Sequence, residues 1–116
     1  MYNLSSPHLK KKRVKPAFKL WFEIGDNYIF GEGTYELLNQ VREKGSLSAA
    51  AKTLGMSYRY AWSRIKEVEK NLGEPVLKTY KGGKHGGKSE ITAAGLALLE
   101  NYEKLKEEMT KVCRLK

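Results

Sequence analysis

SLSAAAKTLGMSYRYAWSRIKEVEKNL, Ser46 to Leu72, is the stretch whose reading decides the fold. It predicts two helices joined by a tight turn. Ser46 precedes Leu47-Ser48-Ala49-Ala50-Ala51, and a serine there caps a helix because its hydroxyl accepts from an otherwise unpartnered backbone N–H. The alanines allow close approach to another helix. Leu54 closes the apolar face, Gly55 stops the helix and Met56 plugs the turn. Ser57 caps a second, longer helix to about Leu72, with Gly73 as its stop. A short Ala-rich helix, a glycine turn and a longer helix form the helix-turn-helix pattern.

The second helix carries the chemistry. At about 100° per residue, Ala61, Ile65, Val68 and Leu72 share one stripe, and Arg59, Ser63, Lys66 and Lys70 share the opposite one. Packing the first stripe inward presents the basic stripe outward. A helix of that kind fits a DNA major groove, where arginine reads guanine edges and lysine meets phosphates. Without the turn and both caps, the same stripe would be an ordinary solvated face. Tyr58 and Trp62 flank the apolar stripe and are expected to brace the helix at the edge of the core. Tyr58 or Tyr60 could instead donate to a phosphate.

Outward from this centre, Thr34 is expected to cap a preceding helix to Lys44, with Leu37, Leu38 and Val41 inside and Gly45 as its end. Before it, Phe18, Leu20, Phe22 and Ile24 alternate with Lys19, Trp21 and Glu23. Gly25-Asp26-Asn27 makes a turn and Tyr28-Ile29-Phe30 returns, which reads as a β-hairpin. Trp21 is expected to pack at its edge. Residues 1–16 contain no acid and carry Lys10-Lys11-Lys12-Arg13 and Lys15. They read as a flexible basic arm, either gripping phosphates or serving as a solvated tail.

After Gly73, Pro75 to Tyr80 and Ser89 to Ile91 read as two short strands around the tip KGGKHGGK, Lys81 to Lys88. Glycines permit close backbone approach to a phosphodiester and lysines supply charge, so the hairpin reads as a β-wing. It lacks the ending of a phosphate-binding P-loop. Thr92 caps the last helix, over 92–114. Leu98, Tyr102, Leu105, Met109 and Val112 recur at spacings of four and three, an a/d seam that either folds back on the domain or pairs with a second copy. The pairing is favoured, because the seam outruns a small core. The expected fold is mainly α with small β, a winged helix-turn-helix over 17–116.

These words together resemble the DNA-binding domain of ModE-type molybdate-responsive regulators, which share the winged helix-turn-helix of LysR-type regulators. GSLSAAAKTLG (Gly45–Gly55) is common to LysR-type proteins. SYRYAW (Ser57–Trp62) followed by GGKHGGKSEIT (Gly82–Thr92) and AAGLALLENY looks more specific to the ModE type. The resemblance covers about Phe18 to Lys111. It implies a dimer formed through helices, recognition by Ser57–Lys70 and a wing on the backbone or minor groove. The candidate DNA-binding residues are Ser46, Ser48, Ser57, Tyr58, Arg59, Tyr60, Ser63, Arg64, Lys66 and Lys70 on the helices. Lys81, Gly83, Lys84, His85 and Lys88 join them on the wing. ModE-type regulators carry molybdate-binding domains after this one; 116 residues leave no room for one, so a stand-alone DNA-binding domain is expected.

Composition agrees with a nucleic-acid partner and bounds the rest. The net charge of +9 favours polyanions. A single cysteine, Cys113, excludes an intramolecular disulfide. His8, His85 and Cys113 lack ligand spacing, so no metal or other cofactor is expected. No nucleophile–base pair is visible, and the chain is not expected to be an enzyme. No apolar run approaches a membrane span and no signal-peptide core is present, so the cytoplasm is the expected location. No small-molecule site is legible. The expected function is a sequence-specific, homodimeric regulator on double-stranded DNA. The competing readings are a non-specific architectural DNA protein and a winged-helix adaptor for another protein.

Overall fold

The structure, a computed structural model, describes residues 2–80 and 87–114. The wing-tip candidates Lys81, Gly83, Lys84 and His85 lie outside the described residues. The elements in order are α1 (Pro7–Lys10), β1 (Trp21–Ile24), β2 (Asn27–Gly31), α2 (Glu32–Lys44) and α3 (Leu47–Thr53). They continue with α4 (Tyr58–Leu72), β3 (Leu77–Tyr80), β4 (Lys88–Ile91) and α5 (Ala93–Arg114). Each strand pair is its own antiparallel two-stranded sheet, β1 with β2 and β3 with β4.

The helix-turn-helix forms as its caps dictate. The Ser46 hydroxyl accepts from Ala49 N–H at 3.0 Å, and that of Ser57 accepts from Tyr60 N–H at 3.1 Å. Gly55 takes φ +68 between the helices, a left-handed turn that a side chain would strain. Gly73 ends α4 in the same region. Ala61, Ile65 and Val68 are buried, as their stripe requires. They meet Leu37, Leu38 and Val41 of α2, Leu47 and Ala50 of α3, and Phe30 of the hairpin in one core.

Four expectations are corrected. First, α2 begins at Glu32 and not after Thr34. Thr34 sits inside the first turn, where its hydroxyl accepts from Gly31 N–H at 2.9 Å and donates to the Gly31 carbonyl at 3.0 Å. It closes the helix start from within. Second, β1 starts at Trp21, so Phe18 and Leu20 are half-buried outside the ladder, while Trp21 and Ile24 are exposed. Trp21 donates its indole N–H to Glu23 at 2.8 Å instead of packing. Third, the basic N-terminal segment carries one helical turn, Pro7–Lys10, and the Tyr2 hydroxyl donates to the Val112 carbonyl at 3.2 Å.

The fourth correction concerns Tyr102. It does not belong to an exposed seam; it is 0% exposed within its own domain. Its ring stacks on Tyr35 and meets Phe22 and Phe30 edge-on. Its hydroxyl donates to the Glu32 carboxylate at 2.8 Å and lies 3.1 Å from the Leu20 carbonyl. Leu99 is equally buried. Leu98 packs at the core's margin, whereas Leu105 and Val112 are exposed.

Gly95 places α5 against the wing. A Cβ there would run into the Val76 carbonyl oxygen and come within 2.8 Å of Ile91 Cγ2. Gly95→Ala gains about 1 kcal/mol of helix propensity, but overpacking against backbone costs roughly 1–3 kcal/mol or more. The variant should therefore show a lower urea midpoint than wild type.

Two ionic clusters join α2 to α5. Glu103 accepts from Arg42 at 2.5 Å and from the Tyr35 hydroxyl at 2.7 Å. Glu32 accepts from Lys106 at 2.8 Å and from Tyr102. The Arg42 hydrogen bond holds the Glu103 carboxyl below its usual value, and Lys106 does the same for Glu32. A carboxyl depressed in the folded state stabilises it above the unfolded value and stops doing so as pH falls through the folded one. The urea midpoint should thus drop on acidification from about pH 5 to pH 3, and Glu103→Gln should blunt that drop. At the other end, burial and then the Glu103 carboxylate push the Tyr35 phenol up to about 12. That contribution is whole below the ordinary phenol value of 10.0 and fades as pH rises through about 12.

Candidate nucleic-acid interface

The outward face of α4 is the surface that the caps and the core stripe leave to solvent. Arg59, Ser63, Lys66 and Lys70 are all exposed on it. Tyr58, Tyr60 and Trp62 stand beside them at 50%, 54% and 46% exposure. Tyr58 and Trp62 are therefore not core-edge braces, contrary to the sequence reading. Lys66 Nζ lies 5.3 Å from the centre of the Trp62 ring, a cation–π distance. Arg64 is half-buried and pairs with Glu67 at 3.1 Å, and Lys66 pairs with Glu69 at 3.1 Å. Such partly exposed pairs are worth about 0–1 kcal/mol, so a phosphate can displace them.

Two residues that the sequence reading passed over fix the wing to the helices. Glu69 turns its second carboxylate oxygen to Val76 N–H at 2.9 Å and Leu77 N–H at 3.3 Å, holding the root of β3. Ser89, buried in β4, accepts from Leu47 N–H at 3.1 Å, and its own N–H donates to the Gly45 carbonyl at 2.9 Å. The start of α3 thus has two serine hydroxyls on it, Ser46 and Ser89. Neither anchor has a sequence signature: Glu69 reads as a solvated acid and Ser89 as a strand residue.

Between the wing and the helix-turn-helix lies a notch of about 320 Å³, lined by Ser48, Tyr58, Thr79 and Tyr80 among others. Ser48 and Lys88 are exposed near it, while the Ser46 and Ser57 hydroxyls are committed to their caps. The structure brings Ser48, Tyr58, Arg59, Ser63 and Lys66 to the helix-turn-helix surface and Lys88 to the adjoining strand. Among the described residues, no group of three His, Cys, Asp or Glu side chains could hold a metal ion. No helix among them is long and apolar enough to cross a membrane.

A helix-turn-helix with an antiparallel wing behind it and a basic outer helix face defines a winged-helix DNA-binding domain. The chain belongs to the bacterial regulatory helix-turn-helix proteins of the lysR family, whose family model matches residues 34–96. It carries the helix-turn-helix of that regulatory family.

Its relatives sharpen the likeness. The molybdenum-pterin-binding protein MopA of Rhodobacter capsulatus is 30% identical over 81 residues, which is 70% of this chain and 31% of that protein. The transcriptional regulator ModE of Haemophilus influenzae is 35% identical over 69 residues, 60% of this chain and 27% of that protein. The chain therefore spans under a third of the length of these curated relatives. Among solved structures, the CbnR_DBD-DNA complex superposes with a TM-score of 0.54 at 29% identity, over 69% of this chain and 86% of that one. Full-length CbnR complexed with target DNA gives a TM-score of 0.53 over 69% of this chain and 26% of that one. The ModE-type and LysR-type resemblance read from the sequence is borne out.

Proposed function

We propose that the chain is a sequence-specific regulator that binds double-stranded DNA as a homodimer, with α4 in the major groove. The observation that carries this is the split of α4: one face is sealed into the core while Arg59, Ser63, Lys66 and Lys70 line the other. The superposable CbnR structures hold DNA, which supports the same use of this fold here. Arg59 reads a base edge, and Tyr58, Tyr60, Arg64 and Lys70 meet the backbone. The wing residues Lys81, Gly83, Lys84, His85 and Lys88 clamp phosphates, and the run Lys10 to Arg13 adds further phosphate contacts. Leu98, Leu105, Met109 and Val112 form the dimer face of α5, without Tyr102.

Arg59→Ala tests the reading. It should lose about 1–3 kcal/mol of discrimination at one base position while leaving random-sequence affinity nearly unchanged. Footprinting on genomic fragments, followed by titration of the protected site and of a scrambled one, measures both. Equal losses on both would make the protein an architectural binder. No protection anywhere would make it a protein adaptor.

A further inference from the structure

On α5, away from the recognition helix, lies a groove of about 940 Å³. Its walls are the extended segment from Lys15 to Trp21, the β2–α2 junction and the outer half of α5. None of its lining residues belongs to α3, α4, β3 or β4, so it is separate from the helix-turn-helix and the wing. Its floor is apolar and aromatic, with Phe18, Leu20, Trp21, Tyr28 and Tyr102. Trp21 and Tyr28 are exposed there. Its rim is cationic.

The rim has Lys15, Lys19, Lys106 and Arg114 against one acid, Glu32. Glu32 is already taken by Lys106 and Tyr102. Lys15, Lys19 and Arg114 make no ion pair among the described residues. The size suits an organic ligand, since such sites run from about 300 to 1,000 Å³ with apolar walls and a few charges that orient the ligand. A second copy is disfavoured as the occupant of this groove, because it would bring a net charge of +9 against these cations. A nucleic-acid backbone gains nothing from the aromatic floor.

We propose that this groove binds a small amphipathic carboxylate, its apolar body on Phe18, Trp21 and Tyr28 and its anionic head among Lys15, Lys19 and Arg114. Such a ligand would lie against Lys106 of α5.

The probe is pyrenebutyrate, with the neutral pyrenebutanol as its control. In a Trp62→Phe background, Trp21 is the remaining tryptophan and reports binding by energy transfer to the pyrene. Transfer should saturate at one equivalent of pyrenebutyrate, and pyrenebutanol should bind roughly tenfold more weakly. Reversing both exposed lysines, Lys15→Glu with Lys19→Glu, should weaken pyrenebutyrate by a similar factor, about tenfold, and leave circular dichroism unchanged. Uptake that never saturates, equal binding of the alcohol, or a double variant that binds as well as wild type would overturn the proposal. So would binding that appears only when dilution dissociates a dimer, since a second copy would then be the occupant. An acidic amphipathic peptide that displaces the pyrene probe at lower concentration than pyrenebutyrate binds would also overturn it, in favour of a protein-docking surface.

Discussion

Leu105→Glu should convert a dimer to monomers and lower affinity for the whole operator by about 10²–10⁴-fold, while affinity for a half-site stays near wild type. The reason is geometric. In the proposed arrangement two recognition helices bind DNA together, and the second contact is intramolecular once the first is made. Leu105 is 39% exposed on the single chain, on the same stripe of α5 as Leu98, Met109 and Val112. A glutamate there would put two carboxylates into a closed two-fold face, where burial without a partner is strongly unfavourable. The domain itself loses little, because Leu105 is not part of its core. The operator should be an inverted repeat with half-sites about 34 Å apart or a multiple of that. Sedimentation at micromolar concentration and titration of full and half operators measure the effect. A wild-type protein that sediments as a monomer, or a variant that stays dimeric, removes the dimer from the account.

Tyr102→Ala should act on the other face of the same helix, and on stability. Removing a buried aromatic ring costs about 3–5 kcal/mol, against a total of roughly 5–15 kcal/mol for a domain of this kind. The hole would open among Tyr35, Phe22 and Phe30, which come from three different elements or their flanks and cannot close together. Tyr102→Phe keeps the ring and removes only the hydroxyl bond shared with Glu32 and Leu20, a loss of about 1–3 kcal/mol. Urea unfolding of the pair separates the two terms. If the alanine variant is no less stable than the phenylalanine one, the ring is not a core element.

The contrast between Leu105 and Tyr102 shows where the sequence is legible and where it stops. The helix-turn-helix was readable because its signals are local: Ser46 and Ser57 bond within their own first turn, and Gly55 and Gly73 answer to backbone conformation alone. The apolar stripe of α4 was readable because it is narrow. On α5 the apolar residues span a wider arc, and spacing cannot say which edge faces the domain. That depends on Phe22, Phe30 and Tyr35, residues 67 to 80 positions away in the chain.

Thr34 misled for a related reason. Its preference for helix starts is real, but the extended backbone of Gly31 moved the start upstream and left Thr34 to bond back to it. Tyr58 and Trp62 were misplaced because an aromatic beside an apolar stripe resembles a core residue in any helical projection. Lys66 stacked over Trp62 is a surface arrangement that no periodicity reports. Glu69 and Ser89 are legible only once β3 and β4 have been folded onto the helices.

Those two anchors have a further consequence. Glu69 holds one strand of the wing from α4 and Ser89 holds the other from α3, so the root cannot swing independently of the helices. The hairpin base is thereby tied to α4 and to the start of α3. Docking on a duplex need not immobilise the base afresh, so ordering it costs little conformational entropy on binding. The same stiffness makes the domain a ruler. In the proposed complex a phosphate gripped by the wing would sit at a fixed offset from the base pair that α4 reads, so flanking sequence that narrows or widens the groove should alter the fit without being touched.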